Sequence, residues 1–354
     1  MLLMLTMLPA WLFAASPSAD AHDYRDKNFD YFVAGDPAAP RASLPYFTLA
    51  LMGGGGSVDS AFVALARGAG QGHLVILRAV GDDRFDPDAG DYGRSFRAQW
   101  GPVASAETLV FHNRQASYDA RVLATLAHAD GIFIAGGDQA NYIRYWKGTP
   151  VQRALNEHAR ANRSLGGSSA GLAILGRYSY TALDGGSLES KVALPDPFSG
   201  AVTLDRDFLH LRFLGDVITD SHFSQRSRLG RLIVFVARLD EQRGDLKVLG
   251  VGIDERSALL IDGRGIGRLA AGSAGSAWLV RATRTPQVLR AGAPLSADAV
   301  QVTRIGPASA IEFRDGRVVQ PEDQSSAVIR AGVPAADPLL DTRILRTVVP
   351  PGDP

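Results

Sequence analysis

The 354-residue chain contains no cysteine, so its sequence excludes disulfides, thiolate metal ligands and a cysteine nucleophile. It also lacks an excess of charge of one sign, because 37 Lys and Arg residues balance 37 Asp and Glu residues. A general nucleic-acid-binding protein carries a basic excess, so we expect no nucleic-acid partner. The zinc motif H-E-x-x-H and the phosphate-binding Walker A motif are both absent, and we expect neither a metal nor a cofactor.

Long apolar runs are missing as well. Residues 1–15 are apolar and uncharged, but they fall short of the ~20 residues that a membrane-spanning helix needs. Small residues follow, and Ala19-Asp20-Ala21 fits the A-x-A pattern of a signal-peptide cleavage site. The sequence therefore predicts a signal peptide over residues 1–21, a periplasmic or secreted protein, and no membrane span once the signal is removed. The alternatives are a misassigned start and an uncleaved anchor.

Apolar runs that alternate with helical spacing predict an α/β fold. Short apolar strands and amphipathic helices follow one another at residues 47–52, 58–67, 73–79, 108–112, 118–129, 131–135 and 151–162. This alternation predicts a mostly parallel sheet with helices on both faces, which is a three-layer arrangement. We predict an irregular lead-in at residues 22–45 and an α/β domain at residues 46–262. Short strand-like runs between Gly and Pro predict a β-rich extension, residues 263–354, packed on the same domain.

The segment Gly167-Ser168-Ser169-Ala170-Gly171 has the G-x-S-x-G pattern of a nucleophile elbow. Only Ser169 has glycine at both −2 and +2, which makes it the candidate nucleophile. Small neighbours suit the tight strand-to-helix turn that exposes the serine hydroxyl. A flexible Gly/Ser loop is the alternative interpretation.

A serine nucleophile needs a base and a carboxylate that orients the base. Among seven histidines, His222 has the most informative position, since it follows a predicted strand and precedes a long helix predicted over residues 223–239. Open α/β sheets carry their sites at such carboxyl ends of strands. His210, in a strand-like run, is the second candidate base. Asp254 and Glu255 follow another apolar strand, and spacing alone does not choose between them.

Two further segments carry groups suited to contact a substrate. The turn at Gly137 follows a predicted strand, and its backbone N–H groups can face an oxyanion. Arg226, Arg228 and Arg231 follow the candidate base and could bind a substrate carboxylate in bidentate fashion. The alternatives are an ordinary β/α turn and a solvated helix face, and composition alone favours the solvated face for the arginines.

Five segments taken together resemble the cyanophycinase and aspartyl-dipeptidase family of serine peptidases, peptidase family S51. In the family's order they are LMGGG at residues 51–55, IAGGDQ at 134–139, GGSSAG at 166–171, DSHFSQRSRLGRL at 220–232 and GIDE at 252–255. The resemblance covers roughly residues 46–280. It implies a flavodoxin-like α/β fold related to the class I glutamine amidotransferases.

The resemblance also implies roles for individual residues. It matches Ser169 to the nucleophile, His222 to the base and Glu255 to the orienting acid. It implies an aspartyl peptide substrate, in particular a β-linked one, and it is compatible with a homodimer. The further implied contacts are oxyanion donors on the backbones of Gly137 and Ala170, and substrate contacts from Gln139, Arg226, Arg228 and Arg231.

Three features of the sequence depart from the family's pattern. Ser221 stands where glutamine usually precedes the base, Ser168 stands where threonine is common, and residues 77–81 read LRAVG instead of a Pro/Thr-Ala-Ser stretch. The expected function is an exported serine exopeptidase that hydrolyses aspartyl bonds. An α/β-hydrolase-type esterase and a non-enzymatic binding protein are the alternatives. The esterase architecture has little room in the 53 residues from Ser169 to His222.

Overall fold

The computed structural model describes residues 23–80 and 90–335, so the predicted signal peptide lies outside the described residues. The strands, in chain order, are β1 Tyr24–Arg25, β2 Phe29–Gly35, β3 Thr48–Met52, β4 His73–Ala79, β5 Ser105–Phe111, β6 Gly131–Ile134, β7 Ser164–Ser168, β8 Tyr178–Tyr180, β9 Leu204–Arg206, β10 Val217–Asp220, β11 Leu249–Ile253, β12 Ala258–Asp262, β13 Ile266–Leu269, β14 Ala277–Ala282, β15 Ala297–Ile305, β16 Ala310–Glu312, β17 Arg317–Val319, β18 Asp323–Arg330 and β19 Val333–Pro334.

The α-helices are α1 Asp59–Gly68, α2 Asp91–Ser95, α3 Ala120–His128, α4 Gln139–Trp146, α5 Pro150–Arg160, α6 Ala170–Ala173, α7 Ser190–Ala193 and α8 Leu229–Arg243. A π-helical turn, Phe96–Trp100, follows α2, and a 3-10 helix, Arg114–Tyr118, precedes α3. No helix in residues 23–80 or 90–335 has the length and apolar character needed to cross a bilayer.

The first sheet has eleven strands in the order β1-β2-β5-β4-β6-β7-β3-β12-β13-β16-β17. Its five central strands, β5-β4-β6-β7-β3, pair in parallel, and antiparallel strands extend both edges. Side chains alternate between its faces, so Leu49 and Leu51 of β3 enter one core while Ala50 and Met52 enter another. Helices α3, α4 and α5 cover the first face and α1 covers the second. This α/β layering agrees with the prediction.

The second sheet has eight strands in the order β19-β18-β15-β14-β11-β10-β8-β9. Strands β8, β10 and β11 pair in parallel, and the other pairs are antiparallel. Ile218 and Val280 face the core shared with α8, whereas Val217 and Val251 face the core shared with the first sheet. The two sheets are therefore joined through one continuous apolar core.

The C-terminal segment is rich in strands, as predicted, and its strands are divided between the two sheets. Strands β13, β16 and β17 continue the first sheet, while β14, β15, β18 and β19 continue the second. The chain changes sheets at the turn of residues 254–257, because β11 belongs to the second sheet and β12 pairs with β3 of the first. The Gly53 N–H donates to the Ser257 carbonyl at 2.9 Å across this junction. The prediction of a single sheet was therefore wrong, since the structure has two. Apolar runs in a sequence indicate that strands are buried, but they do not specify which strands pair.

The lead-in predicted to be irregular, residues 22–45, contains a regular strand. Strand β2 pairs antiparallel with β5 along its whole length. Phe29 and Tyr31 are buried, and the Tyr31 hydroxyl donates to a Glu107 carboxylate oxygen at 2.9 Å. The Asp, Pro and Ala residues around this segment obscured its alternating pattern in the sequence.

Helix α8 starts later than the sequence predicted. The predicted helix begins at residue 223, whereas α8 begins at Leu229 and ends at Arg243. His222 and Ser227 have positive φ angles of +44° and +48°, which a right-handed helix does not accommodate. Residues 222–227 therefore form an irregular turn that carries the candidate base.

Candidate active site

Three of the predicted site residues meet where the two sheets adjoin. Ser169 follows β7 of the first sheet, whereas His222 follows β10 and Glu255 follows β11 of the second. Ser169 Oγ lies 2.7 Å from His222 Nε2, and His222 Nδ1 lies 2.6 Å from Glu255 Oε1. When Nδ1 carries the proton that it donates to the carboxylate, Nε2 is left to accept the hydroxyl proton. This geometry suits nucleophilic attack assisted by a general base.

Ser169 has a backbone conformation that residues with a side chain rarely adopt, with φ of +53° and ψ of −116°. Its N–H donates to the Met52 carbonyl at 3.1 Å. The two flanking glycines are required by close packing. A Cβ on Gly167 would lie 2.6 Å from the carbonyl carbon of Gly171, and a Cβ on Gly171 would lie 2.1 Å from the carbonyl oxygen of Ile134. The glycines of the elbow thus permit the tight turn that presents the hydroxyl.

The imidazole of His222 is only slightly exposed, since the residue retains 7% of its accessible surface. Its backbone N–H donates to the Gly53 carbonyl at 2.9 Å, which holds the turn in place. Burial lowers the pKa of His222, the hydrogen bond to Glu255 opposes this shift, and the charges of Arg226 and Arg228 lower the pKa further. The imidazole is therefore mainly neutral at pH 7, which is the form that a general base requires.

The structure distinguishes the two adjacent acids. Asp254 is buried and points away from the imidazole: its Oδ1 accepts from the N–H and hydroxyl of Ser224 at 2.9 and 2.6 Å, and its Oδ2 accepts from the Ser276 N–H at 3.0 Å. Glu255 reaches the imidazole, and its own N–H donates to the side-chain oxygen of Gln225 at 2.8 Å. Asp254 therefore anchors the turn. Gln225 supports Glu255, a contact that sequence reasoning missed.

The glycine loop, residues 53–56, packs directly against the side chains of Ser169, His222 and Glu255. Gly54 has φ of +89°, and a Cβ there would lie 2.7 Å from His222 Nε2. Gly55 has φ of +70°, and a Cβ there would lie 2.6 Å from Glu255 Oε2. Both the positive φ and the close approach require glycine. The four glycines were visible in the sequence, but these contacts depend on the pairing of β3 with β12.

A cavity of about 240 Å³ opens beside Ser169 and His222. It is lined by Gly137, Asp138, Gln139, Ser169, Tyr180, Ala182, Gly186, Ser187, Ser221, His222, Arg226 and Arg228. The side-chain amide of Gln139 donates to the Tyr180 carbonyl at 3.2 Å. Arg226 is exposed, and its guanidinium makes no ion pair within the part of the chain that the structure describes. Arg226 and Gln139 are thus the predicted substrate contacts that are most available to a ligand.

One of the two predicted oxyanion donors, Ala170, lies within the elbow, and the other, Gly137, lies in the turn after β6. Gly137 lines the cavity, and a Cβ on the preceding Gly136 would lie 3.4 Å from the Ser169 Cβ, so this turn passes next to the serine. Ala170 follows Ser169 and is the first residue of α6, where an N–H group has no intrahelical acceptor. Ala170 is thus next to Ser169 in the chain, and the turn that carries Gly137 is next to Ser169 in space.

The two remaining arginines are held by neighbouring protein groups. Arg228 lines the cavity, but its guanidinium donates to the Ser221 carbonyl and to the Ser187 hydroxyl, each at 2.8 Å. Arg231 does not line the cavity: it is 1% exposed, and its Nε donates to Asp220 Oδ2 at 2.8 Å. Arg231 therefore lies apart from the other predicted substrate contacts. Its guanidinium is paired with the Asp220 carboxylate in the interior of the protein.

Other predicted groups stand apart from this site. His210, the second candidate base, is exposed, and its backbone N–H donates to the side-chain oxygen of Asn156. No cluster of three or more His, Asp or Glu side chains suited to hold a metal ion occurs among residues 23–80 and 90–335.

Comparison with known proteins supplies a family and several relatives. A family model described as peptidase family S51 matches residues 85–269, just over half of the chain, and this range includes Ser169, His222 and Glu255. The chain is 30% identical over 157 residues to a cyanophycinase of Trichormus variabilis, covering 44% of the chain and 47% of the relative. It is 33% identical over 165 residues to a cyanophycinase of Synechococcus elongatus, covering 46% of each. The chain thus spans about half the length of the curated relatives it matches.

Among solved structures, a peptidase from an acI-B1 actinobacterium superposes with a TM-score of 0.45 at 14% identity, covering 79% of this chain and 97% of that one.

Proposed function

The chain belongs to peptidase family S51, a family of hydrolytic peptidases, and we propose that it cleaves peptide bonds with Ser169 as nucleophile, His222 as general base and Glu255 as the acid that orients the base. The observation that carries this proposal is the continuous hydrogen-bonded chain from Ser169 Oγ through both imidazole nitrogens to Glu255 Oε1, with distances of 2.7 and 2.6 Å. The strained backbone of Ser169 supports it, because such strain is concentrated at functional sites.

The proposed reaction is an acyl transfer to serine followed by hydrolysis. Ser169 Oγ attacks the carbonyl carbon of the scissile bond while its proton moves to His222 Nε2. The backbone N–H groups of Gly137 and Ala170 stabilise the resulting oxyanion, and Glu255 stabilises the imidazolium. His222 then gives the proton to the leaving amine, which leaves an acyl group on Ser169. A water molecule then attacks this ester while its proton moves to His222. His222 returns that proton to Ser169 Oγ as the acyl–oxygen bond breaks, which releases the acid product and restores the hydroxyl.

For the substrate, we propose a peptide with an aspartyl residue at the scissile bond. Arg226 supplies a cation in the cavity wall that forms no ion pair with the described residues, and Gln139 supplies an amide, so a substrate carboxylate would find both charge and hydrogen bonds there. The cavity of about 240 Å³ suits a single terminal residue, which supports an exopeptidase. The resemblance of the motifs to cyanophycinases and aspartyl dipeptidases supports the finer assignment of a β-aspartyl bond.

A dipeptide panel with matched serine variants tests this function. We expect the wild-type protein to hydrolyse β-aspartyl-arginine in preference to its α-linked isomer, with products identified by mass spectrometry. Ser169→Ala should abolish turnover, whereas Ser168→Ala, the neighbouring change in the same turn, should retain most of it. Turnover by folded Ser169→Ala at the wild-type rate would refute the nucleophile, and preference for the α-linked isomer would refute the substrate.

We also propose that the protein is exported, because residues 1–21 have the composition of a signal peptide. N-terminal sequencing of protein recovered from the periplasm or medium should then begin at His22. Recovery of the chain from the cytoplasm with Met1 retained would contradict export.

A further inference from the structure

The hydroxyl of Tyr142 lies directly behind the turn that carries Gly137. Tyr142 belongs to α4 and is fully buried. Its hydroxyl donates to the carbonyl oxygen of Ala135 at 2.8 Å and to that of Gly136 at 3.1 Å. A Cβ built on Gly137 would lie 3.0 Å from the same hydroxyl oxygen. The hydroxyl is therefore packed against three consecutive residues of the turn.

The side chain of Tyr142 is held in place by its own neighbours. Its ring stacks on that of Trp146, with 4.5 Å between the ring centroids and an angle of 10° between the planes. The backbone of Ala79 is also hydrogen-bonded to the phenol oxygen. Burial raises the pKa of Tyr142, so the phenol stays protonated and its O–H remains a donor. A donor held in this way fixes the carbonyl groups that accept from it.

The direction of a carbonyl group determines where the N–H group of the same peptide points. The peptide bond between Gly136 and Gly137 is trans, so the Gly136 carbonyl and the Gly137 N–H point in opposite directions within one plane. Because the carbonyl points at the buried Tyr142 hydroxyl, the N–H points to the other side of the turn. Gly137 lines the cavity beside Ser169, and its N–H donates to no acceptor within residues 23–80 and 90–335. This N–H is thus left for a group bound in the cavity.

We propose that Tyr142 is a positioning residue for the oxyanion, because its hydroxyl, acting through the Gly136 carbonyl, orients the Gly137 N–H. This role rests on the proposed function, since an oxyanion forms only during acyl transfer to and from Ser169. A hydrogen bond to a carbonyl also polarises its peptide group, which makes the N–H of that group a stronger donor. Tyr142 itself does not line the cavity, so it acts through Gly137 and not by contact with the substrate.

Steady-state kinetics of Tyr142→Phe test this role, because the change removes only the hydroxyl. The Gly137 N–H remains but is no longer held in position, so kcat for β-aspartyl-arginine should fall about 10- to 100-fold. KM should change less than about twofold, because an oxyanion donor acts in the transition state and not in substrate binding. The matched control Tyr31→Phe removes another buried hydroxyl, which donates to Glu107 at 2.9 Å, and it should keep the wild-type kcat.

Labelling of Ser169 with a fluorophosphonate makes the test independent of how much of each variant is folded. The end point of labelling counts the folded sites, so kcat is expressed per labelled serine. The rate of labelling should also fall about tenfold or more in Tyr142→Phe, because the phosphonyl oxygen occupies the position of the oxyanion.

Two results would overturn the role of Tyr142 alone. One is a kcat per labelled site and a labelling rate in Tyr142→Phe that match those of Tyr31→Phe. The other is an effect of Tyr142→Phe that is confined to KM. A wild-type protein that neither labels at Ser169 nor hydrolyses the dipeptide would overturn the proposed function, and the role of Tyr142 with it.

Discussion

Gly54 lies so close to His222 that a single additional carbon atom would collide with the imidazole. A Cβ built on Gly54 would be 2.7 Å from both Cε1 and Nε2 of His222 and 3.0 Å from the Ser169 Cβ. The glycine loop therefore forms one wall of the serine–histidine contact. The position of the imidazole depends on the absence of a side chain at residue 54.

Substitution of this glycine should impair catalysis more than stability. Gly54→Ala has to adopt φ of +89° and displace His222, and a displacement of about 1 Å lowers turnover about 100-fold. The control Gly272→Ala has a similar φ of +82° with nothing within 4 Å of its Cβ, so it bears the backbone strain alone. Steady-state kinetics and urea unfolding of both variants check this. Equal kcat values in the two variants would show that the loop does not control His222.

Replacing Ser169 by glycine should stabilise the protein while removing its activity. The backbone of Ser169, with φ of +53°, is strained, and glycine relieves strain that amounts to about 1–3 kcal/mol at such sites. Ser169→Ala keeps the strain, so it should be inactive without the gain in stability. Urea unfolding of the two variants measures the difference. Equal unfolding free energies would mean that the elbow is not held under strain.

The pH profile of kcat/KM should follow the fraction of His222 that is neutral. Because burial lowers the pKa of His222, kcat/KM should rise with pH through an apparent pKa below 6.5 and be level at neutral pH. Arg226 also lowers this pKa, so Arg226→Gln favours the imidazolium and should move the acidic limb to higher pH. The distant change Arg160→Gln should leave the limb in place. A limb that stays fixed or moves to lower pH in Arg226→Gln would contradict the electrostatic coupling.

Arg231 should matter for folding stability. Arg231→Met leaves the Asp220 carboxylate buried without its main cation, and breaking a buried pair in this way costs about 3–5 kcal/mol. The exposed pair of Arg264 with Asp262 supplies the control, and Arg264→Met should cost less than about 1 kcal/mol. Chemical unfolding measures both. A similar small loss in both variants would show that the interior pair is not important for stability.

The candidate site could be predicted largely from local patterns. Glycine at −2 and +2 selects Ser169, because a strained turn restricts side chains within five consecutive residues. His222 and Glu255 each follow a strand, and strand ends are visible as breaks in apolar runs. The choice of Glu255 over Asp254 required the family resemblance, and the geometry now gives a reason, since Asp254 holds the turn from inside.

The remaining features depend on which strands pair, and a sequence does not state that directly. The apolar run before Asp254 predicted a strand but not its place in a second sheet. The glycine loop reaches His222 only because β12 pairs with β3. Arg231 looked like a surface cation by composition, but Asp220 at the end of β10 draws it into the interior. Each of these outcomes arises from contacts between different elements of the fold.

The central claim is that Ser169 is the nucleophile and that His222 activates it. Peptide mapping by mass spectrometry after reaction with a fluorophosphonate tests this most directly, with His222→Ala treated in parallel. The account predicts a single adduct on Ser169 in the wild-type protein and strongly slowed labelling in folded His222→Ala. An adduct on a different residue, or labelling that is equally fast without His222, would contradict it.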